Sequence, residues 1–386
     1  MARIFAMGFR PFFLLATAHA LLSMGAWLAM LLGILPSAIS RSIVWHVHEM
    51  LFGFVPAVIA GFLLTAVPKW TSSQAISGRG LQRLVALWLL ARVAGWFVVP
   101  GQFHGWPLLA NLVTWSFLPV LAAVVALPIL RAGNARNYGV VAVLFVLSAC
   151  HGLFLYGGYV VRAETLALDL YMILMLIVGG RITPAFTRNW LDRRQLRLDD
   201  VAVPVWLQRS FWIMVLAVVA GQQIGVGFVL QAVLCLLAGS LLLVRLFFWR
   251  GDRVVSDALL AVLHLGHIWI AVALLLRAAC LLSMSIPNRA WMHAMAIGAM
   301  GTLILGVMAR VTLGHTGRNL KMPDLAWSLF ASITLAAVLR TLSAVGWVSR
   351  SPALELSALA WLIAFVAFGV FFGSMLTKPR VDGRPG

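Results

Sequence analysis

The stretch Trp45-His-Val-His-Glu-Met-Leu-Phe-Gly-Phe-Val-Pro-Ala-Val-Ile-Ala-Gly-Phe-Leu-Leu-Thr-Ala-Val67 decides the fold. It exceeds the roughly 20 apolar residues that cross a bilayer as a helix. Its first turns nevertheless carry two histidines and a glutamate, groups that are costly inside a membrane and mark functional positions there. Similar apolar runs extend in both directions. Of the 386 residues, 62% are hydrophobic and 10% charged, against about 25% charged in a soluble domain. Too little polar surface exists to cover a water-soluble globule.

Apolar windows bounded by Gly, Pro or Arg fall at about 12–35, 45–67, 81–100, 106–130, 138–161, 164–187, 205–226, 228–249, 256–282, 290–313, 325–347 and 353–376. The expected fold is therefore all-α, a polytopic membrane bundle of about twelve transmembrane helices forming a single transmembrane domain over residues 1–386. The N-terminal run lacks a clear cleavage site and reads as a retained first span. An even number of spans places both termini on one side of the membrane.

The formal charge of +18 acquires a meaning from this topology. Eighteen Lys and Arg fall in loops on the side of the termini, Arg79, Arg131, Arg193, Arg250 and Lys378 among them. The opposite side has four, Arg41, Arg162, Arg289 and Arg350. The positive-inside rule makes the richer side cytoplasmic, so N- and C-termini are expected in the cytoplasm. The same residues suit an anionic inner leaflet, and the expected partner of the charge is the lipid bilayer, with no nucleic acid. The largest loop, Arg188 to Pro204, is short and mixes Asp192, Asp199 and Asp200 with its arginines.

An internal repeat ties the second span to the tenth. His48-Glu-Met50-Leu-Phe-Gly53, continuing to Gly61, is matched by His293-Ala-Met295-Ala-Ile-Gly298, continuing to Gly306, and His19 maps onto His264 at the same spacing of 245 residues. More weakly, Pro68-Lys-Trp-Thr71 aligns with Pro184-Ala-Phe-Thr187. The chain then divides into three four-helix units, roughly 1–137, 138–253 and 254–386. Recurrent glycines are explained by close helix packing; the histidines are not.

Topology gives each histidine a depth. His46, His48 and His293 lie near the outer face, whereas His19, His151, His264 and His267 lie from the inner half to the middle of their spans. His264 and His267, at i and i+3, share a helical face with a spacing suited to a metal. His46 and His48 cannot both face one way on a regular helix, and the repeat favours His48. A lone histidine on an apolar helix is more often a hydrogen-bonded core residue. Taken together, the set points to metal or haem ligation. Met50 and Met295 add a soft donor suited to cuprous copper, although their offset from the histidines points off-face. A haem would also need cations for its propionates, for which Arg92, Arg181, Arg277, Arg310 and Arg340 lie in or at the ends of spans. Arg92 and Arg277 are the hardest to explain by snorkelling. Glu49, Glu164 and Asp169 could pair with arginine or carry protons. Nucleotide-binding loops and HExxH or GxSxG elements are missing from the sequence, as are CxxC and CxxCH motifs.

The strings Gly8-Phe-Arg-Pro-Phe-Phe-Leu14, Trp45 to Gly53, Ala60-Gly-Phe-Leu-Leu-Thr-Ala-Val-Pro68, Gly180-Arg-Ile-Thr-Pro-Ala-Phe-Thr187 and Val307-Met-Ala-Arg-Val-Thr-Leu-Gly-His-Thr-Gly-Arg318 resemble the NnrS family. The likeness spans nearly the whole chain and departs from the family pattern around Lys69 and Ser72. It implies a bacterial inner-membrane protein with haem and copper, linked to denitrification and protection against nitric oxide. Partners implied are nitric oxide or another small molecule, with respiratory or denitrification membrane proteins alongside. By fold analogy alone, haem–copper oxidase main subunits have twelve spans and hold a haem between histidines of the second and tenth.

The resulting expectation places a non-covalent b-type haem on His48 and His293, near Arg92 and Arg277. Copper or a second haem is expected deeper, on His264 and His267 with His151 or His19, and His46 is a further candidate metal ligand near the outer face. A secondary transporter that uses the same histidines for a metal or small metal complex is the rival reading. A third is a structural partner that matures a respiratory complex.

Overall fold

Each apolar run forms a helix, because a chain in hydrocarbon must satisfy its backbone groups within the segment. The computed structural model describes residues 3–36, 39–98, 100–102, 104–196, 201–283 and 285–383. Arg197, Asp199, Asp200 and Arg384 lie outside the described residues.

Twelve long helices follow in order among the described residues: α1 (Phe9–Leu31), α2 (Ser42–Thr71), α3 (Gly78–Gly95), α4 (Gly105–Arg131), α5 (Tyr138–Tyr156), α6 (Val160–Asp192), α7 (Val205–Ile224), α8 (Phe228–Phe247), α9 (Ala258–Leu282), α10 (Arg289–His315), α11 (Ser328–Val345) and α12 (Arg350–Thr377). No strand occurs among the described residues. Eleven of the twelve are long and apolar enough to cross a membrane, α3 being the exception. Its 18 residues include Arg79, Arg83 and Arg92, and the last of these is spent inside the protein. Large apolar side chains stand exposed in mid-helix, Leu90 at 59%, Ile213 at 60% and Val370 at 69%. Apolar surface of that extent suits lipid contact, and the chain is a multi-pass membrane protein.

The helices separate into two compact units. One comprises Met1–Leu170, Met308–Leu320 and Phe365–Gly386; the other comprises Tyr171–Val307 and Lys321–Ala364. This division cuts across the three sequential units of the repeat. In the first unit α1 packs on α2, α2 on α4, and α3 and α5 flank α4. In the second, α8 lies between α7 and α9, and α9 and α11 pack against α10.

One end of the first unit is tied by polar contacts to backbone. The buried Arg10, in the first turn of α1, donates from Nη1 to the carbonyls of Leu376 at 2.9 Å and Lys378 at 2.8 Å. Arg380 donates to the carbonyl of His315 at 2.9 Å, and the Val381 amide to that of Thr316 at 3.1 Å. The start of α1 and the ends of α10 and α12 therefore meet.

Candidate functional site

The helix that carries the decisive stretch does not keep α geometry through it. Residues Glu49–Phe54 form a π segment within α2, starting immediately after His48. A second π segment, Ala294–Gly301, starts immediately after His293 in α10. The 245-residue correspondence thus recurs as a backbone feature, although the second segment runs further. Such widened turns are rare and concentrate at functional positions.

In the first unit, the π turn presents Glu49 and His48 to a buried polar cluster. The Glu49 side chain is 1% exposed and has three partners. His48 donates from Nδ1 to Oε1 at 2.8 Å, Arg92 of α3 donates from Nη1 to Oε2 at 2.9 Å, and His19 Nε2 of α1 lies 3.0 Å from Oε2. Arg92 Nη2 also donates to Thr114 Oγ1 of α4 at 3.2 Å, and that hydroxyl donates to the Ala91 carbonyl at 3.0 Å. A buried carboxylate without partners would cost several kcal/mol; here a full cation and two imidazoles offset that cost. Two glycines make the room. A methyl at Gly53 would lie 2.8 Å from His19 Nε2 and 3.1 Å from Glu49 Oε2, and one at Gly95 would collide with Glu49 Oε1.

Because Glu49 accepts from Nδ1, the proton of His48 is fixed there and Nε2 is left as a lone pair. That lone pair meets His151 of α5, whose Nε2 is 3.0 Å away. His151 is fully buried and stacks on Phe52, with ring centroids 4.4 Å apart and planes 6° apart. The His151 Nδ1 has no hydrogen-bond partner among the described residues. His48 also lines a cleft of about 790 Å³ whose other walls include Met30, Val44, Trp45, Trp96, Phe97 and Trp106.

In the second unit, the repeat keeps the histidine and the glycine but loses the acid, since Ala294 stands where Glu49 does. His293 is half-buried, and its Nδ1 donates to the Arg289 carbonyl at 2.8 Å. Gly298 admits the Trp269 indole, which a methyl there would meet at 2.5 Å. Arg277 donates to Gln222 Oε1 at 3.0 Å and lies over the Trp291 ring at 4.4 Å.

His264 and His267 do not converge. His264 Nε2 is 2.9 Å from Thr187 Oγ1, whereas His267 Nε2 points at Gly179, eight residues earlier on α6. Eight residues of helix span about 12 Å, so the i, i+3 spacing does not supply two donors to one ion. The sequence reading groups His19 and His151 with this pair; in the structure they belong with His48 and Glu49. His46 stacks on Trp27 at 4.3 Å, and the Met50 thioether faces the Ser23 hydroxyl at 3.6 Å.

The chemistry of these donors can be tested against the expected cofactors. Among the described residues no group of three or more His, Cys, Asp or Glu is arranged around a metal position. The His48–His151 pair supplies two imidazole nitrogens 3.0 Å apart, close enough for both to hold one ion. Imidazole suits copper, and a carboxylate on the far nitrogen is the usual orienting partner of a metal-bound histidine. Copper therefore fits this pair, provided His151 carries its proton on Nδ1. A haem does not fit at His48, because a second imidazole stands 3.0 Å from its free Nε2 and no Arg or Lys among the described residues lines the cleft for propionates. Gly179 lies directly against His267 Nε2, which leaves room for an atom or two and none for a macrocycle.

Glu49 as the hub, the His48–His151 pairing and the glycine cradle were not readable from spacing. The adjacency of His48 and Glu49 at the repeated position was the available signal. No individually curated protein matches the chain. The pattern of the family described as NnrS protein matches residues 3–380, nearly the full length and every helix of both units, and the chain belongs to that family.

Proposed function

We propose that this protein is a bacterial inner-membrane protein that binds nitric oxide at copper held by His48 and His151, and thereby protects against nitrosative stress during denitrification. The observation that carries the reading is the pair of buried imidazole nitrogens 3.0 Å apart at the edge of an apolar cleft. A cuprous ion held there would supply a soft Lewis acid for a diatomic ligand. The chain's own residues do the rest. Glu49 orients His48, Arg92 balances the carboxylate, and Phe52 fixes the plane of His151. The aromatic walls of the cleft admit a small uncharged gas from the bilayer and exclude charged solutes.

Haem belongs to the reading through family resemblance, although His48 and its surroundings do not fit an axial ligand. Respiratory or denitrification membrane proteins as partners, and cytoplasmic termini, belong to the same proposal. The basic loops on the side of the termini support the orientation.

Metal analysis of the purified protein, with absorbance and electron paramagnetic resonance spectra before and after nitric oxide, tests the reading. Copper is expected in the wild type and absent from His48→Ala and His151→Ala, with the nitric-oxide-dependent signal lost in parallel. Full copper content in both variants would show that the ion is held elsewhere.

A further inference from the structure

In the second unit, the buried stripe of α11 contains a guanidinium. The stripe runs Leu329, Ile333, Ala336, Arg340 and Ser343, a spacing of three to four residues that keeps one helix face toward its neighbours. Two contacts set that face against α12. The Ser357 hydroxyl donates to the Ala336 carbonyl at 2.8 Å, and the Ser343 hydroxyl lies 3.5 Å from the Arg350 carbonyl. Arg340 falls between them, one turn beyond Ala336 and one turn before Ser343. The first turn of α10, which begins at Arg289, packs on α11 as well.

Arg340 is 9% exposed and makes no hydrogen bond or ion pair among the described residues. Of its three nitrogens only Nε is enclosed without a partner, so the terminal pair reaches the edge of the protein. Two further arginines stand there. Arg289 and Arg350 are close enough for their charges to act on Arg340, and both repel it. Each is exposed, and neither has a carboxylate within ion-pair distance among the described residues. The acid in the second turn of α12, Glu355, instead accepts from Ser351 Oγ at 3.0 Å. Topology gives no reason for this gathering of charge. Only four basic residues fall in loops on the side opposite the termini, and Arg289 and Arg350 are two of them.

Buried charges are normally paired, and three guanidiniums with no acid among them leave the pairing to a ligand. Three cations match a group that carries more than one negative oxygen, and the planar fork of arginine fits phosphate oxygens two at a time. A metal cation would meet only repulsion there, and an apolar gas would leave every charge as it is. We propose that Arg289, Arg340 and Arg350 form a binding site for a phosphate group, where the first turns of α10 and α12 meet the last turns of α11. Arg340 supplies its floor, and the two exposed arginines flank the group. The phosphate is that of the free inorganic anion or of a phospholipid headgroup, which present the same oxygens.

The test uses the full chain, delipidated in dodecyl maltoside, a detergent without phosphate. Thermal unfolding is followed during titration with inorganic phosphate and, separately, with a short-chain phosphatidic acid. Acetate and chloride at equal ionic strength serve as comparisons. At least one phosphate compound is expected to raise the unfolding temperature, because a ligand of the native state stabilises it by mass action. A response to inorganic phosphate assigns the site to the free anion, and a response to the lipid alone assigns it to a headgroup. The midpoint should weaken at least about tenfold in Arg340→Gln. Arg289→Gln and Arg350→Gln, both at exposed positions, should weaken it in the same direction and keep the test open should Arg340→Gln fail to fold. A wild type that responds to neither compound more than to chloride would overturn the proposal. An equal response to acetate would overturn the assignment to a phosphate group, and unchanged midpoints in the variants would overturn the location. No arm involves copper, so failure here is distinguishable from failure of the nitric oxide reading.

Discussion

His48 and His151 meet through their Nε2 atoms at 3.0 Å, although 103 residues separate them in the chain. One imidazole must supply a proton or a third body must join them, because two lone pairs at that distance repel. Glu49 removes the choice from His48. The state of the pair is therefore set by His151, whose other nitrogen has no partner. His151→Phe keeps a ring stacked on Phe52 and should abolish copper while the unfolding temperature stays within a few degrees. His151→Ala, which opens a cavity, should cost about 2–4 kcal/mol in addition. Metal content measured beside thermal unfolding separates the two effects.

Removing Glu49 strands a cation. Glu49→Ala leaves Arg92 buried with the Thr114 hydroxyl and the Trp88 ring face but no carboxylate, and an unpaired buried charge costs about 3–5 kcal/mol. Replacing both members of the pair, Glu49→Leu with Arg92→Met, should recover most of that loss without restoring copper. Equal instability of the single and double variants in thermal unfolding would show that the pair is not energetically coupled.

The glycine cradle gives a contrast between two substitutions of the same kind. Gly53→Ala would press on His19 and Arg92, whereas a methyl at Gly25, also inside a helix, meets nothing within 4 Å. Gly25→Ala should be neutral or stabilising by up to about 1 kcal/mol through helix propensity. Gly53→Ala should lower both yield and unfolding temperature. A comparison of the two by size-exclusion profile and melting curve in detergent decides the point.

Arg10 holds the carboxy-terminal end of α12 by two carbonyl contacts, each worth about 1.5–3 kcal/mol when the donor is charged. Arg10→Ala should loosen the segment around Lys378 and Arg380. Limited trypsin digestion of inside-out vesicles should then cut there faster than in the wild type. Right-side-out vesicles should protect the segment in both proteins. Cleavage confined to right-side-out vesicles would reverse the proposed orientation.

Helix positions were legible because a bilayer imposes one length and one periodicity on every apolar run. The window at 205–226 became Val205–Ile224, and that at 290–313 became Arg289–His315. The third window, 81–100, is where composition misled most. Its helix is Gly78–Gly95, and Arg92 is buried for the sake of an acid on another helix. Which histidines meet was not legible, because spacing along one helix carries no information about its neighbours. His264 and His267 share a face and still address different turns of α6. His151, alone in its helix, completes the pair. The π turn after His48 could not be read from periodicity either, since one widened turn shifts every later residue out of the assumed phase.

That widened turn also acts as a gear. A π turn closes i→i+5 where an α turn closes i→i+4, so it offsets the phase of everything that follows it on the helix. In α2 the offset falls between His48 and the Gly61–Thr65 stretch, and in α10 between His293 and Gly306. Each histidine thereby faces a direction that an unbroken α-helix would not give it relative to the glycines beyond.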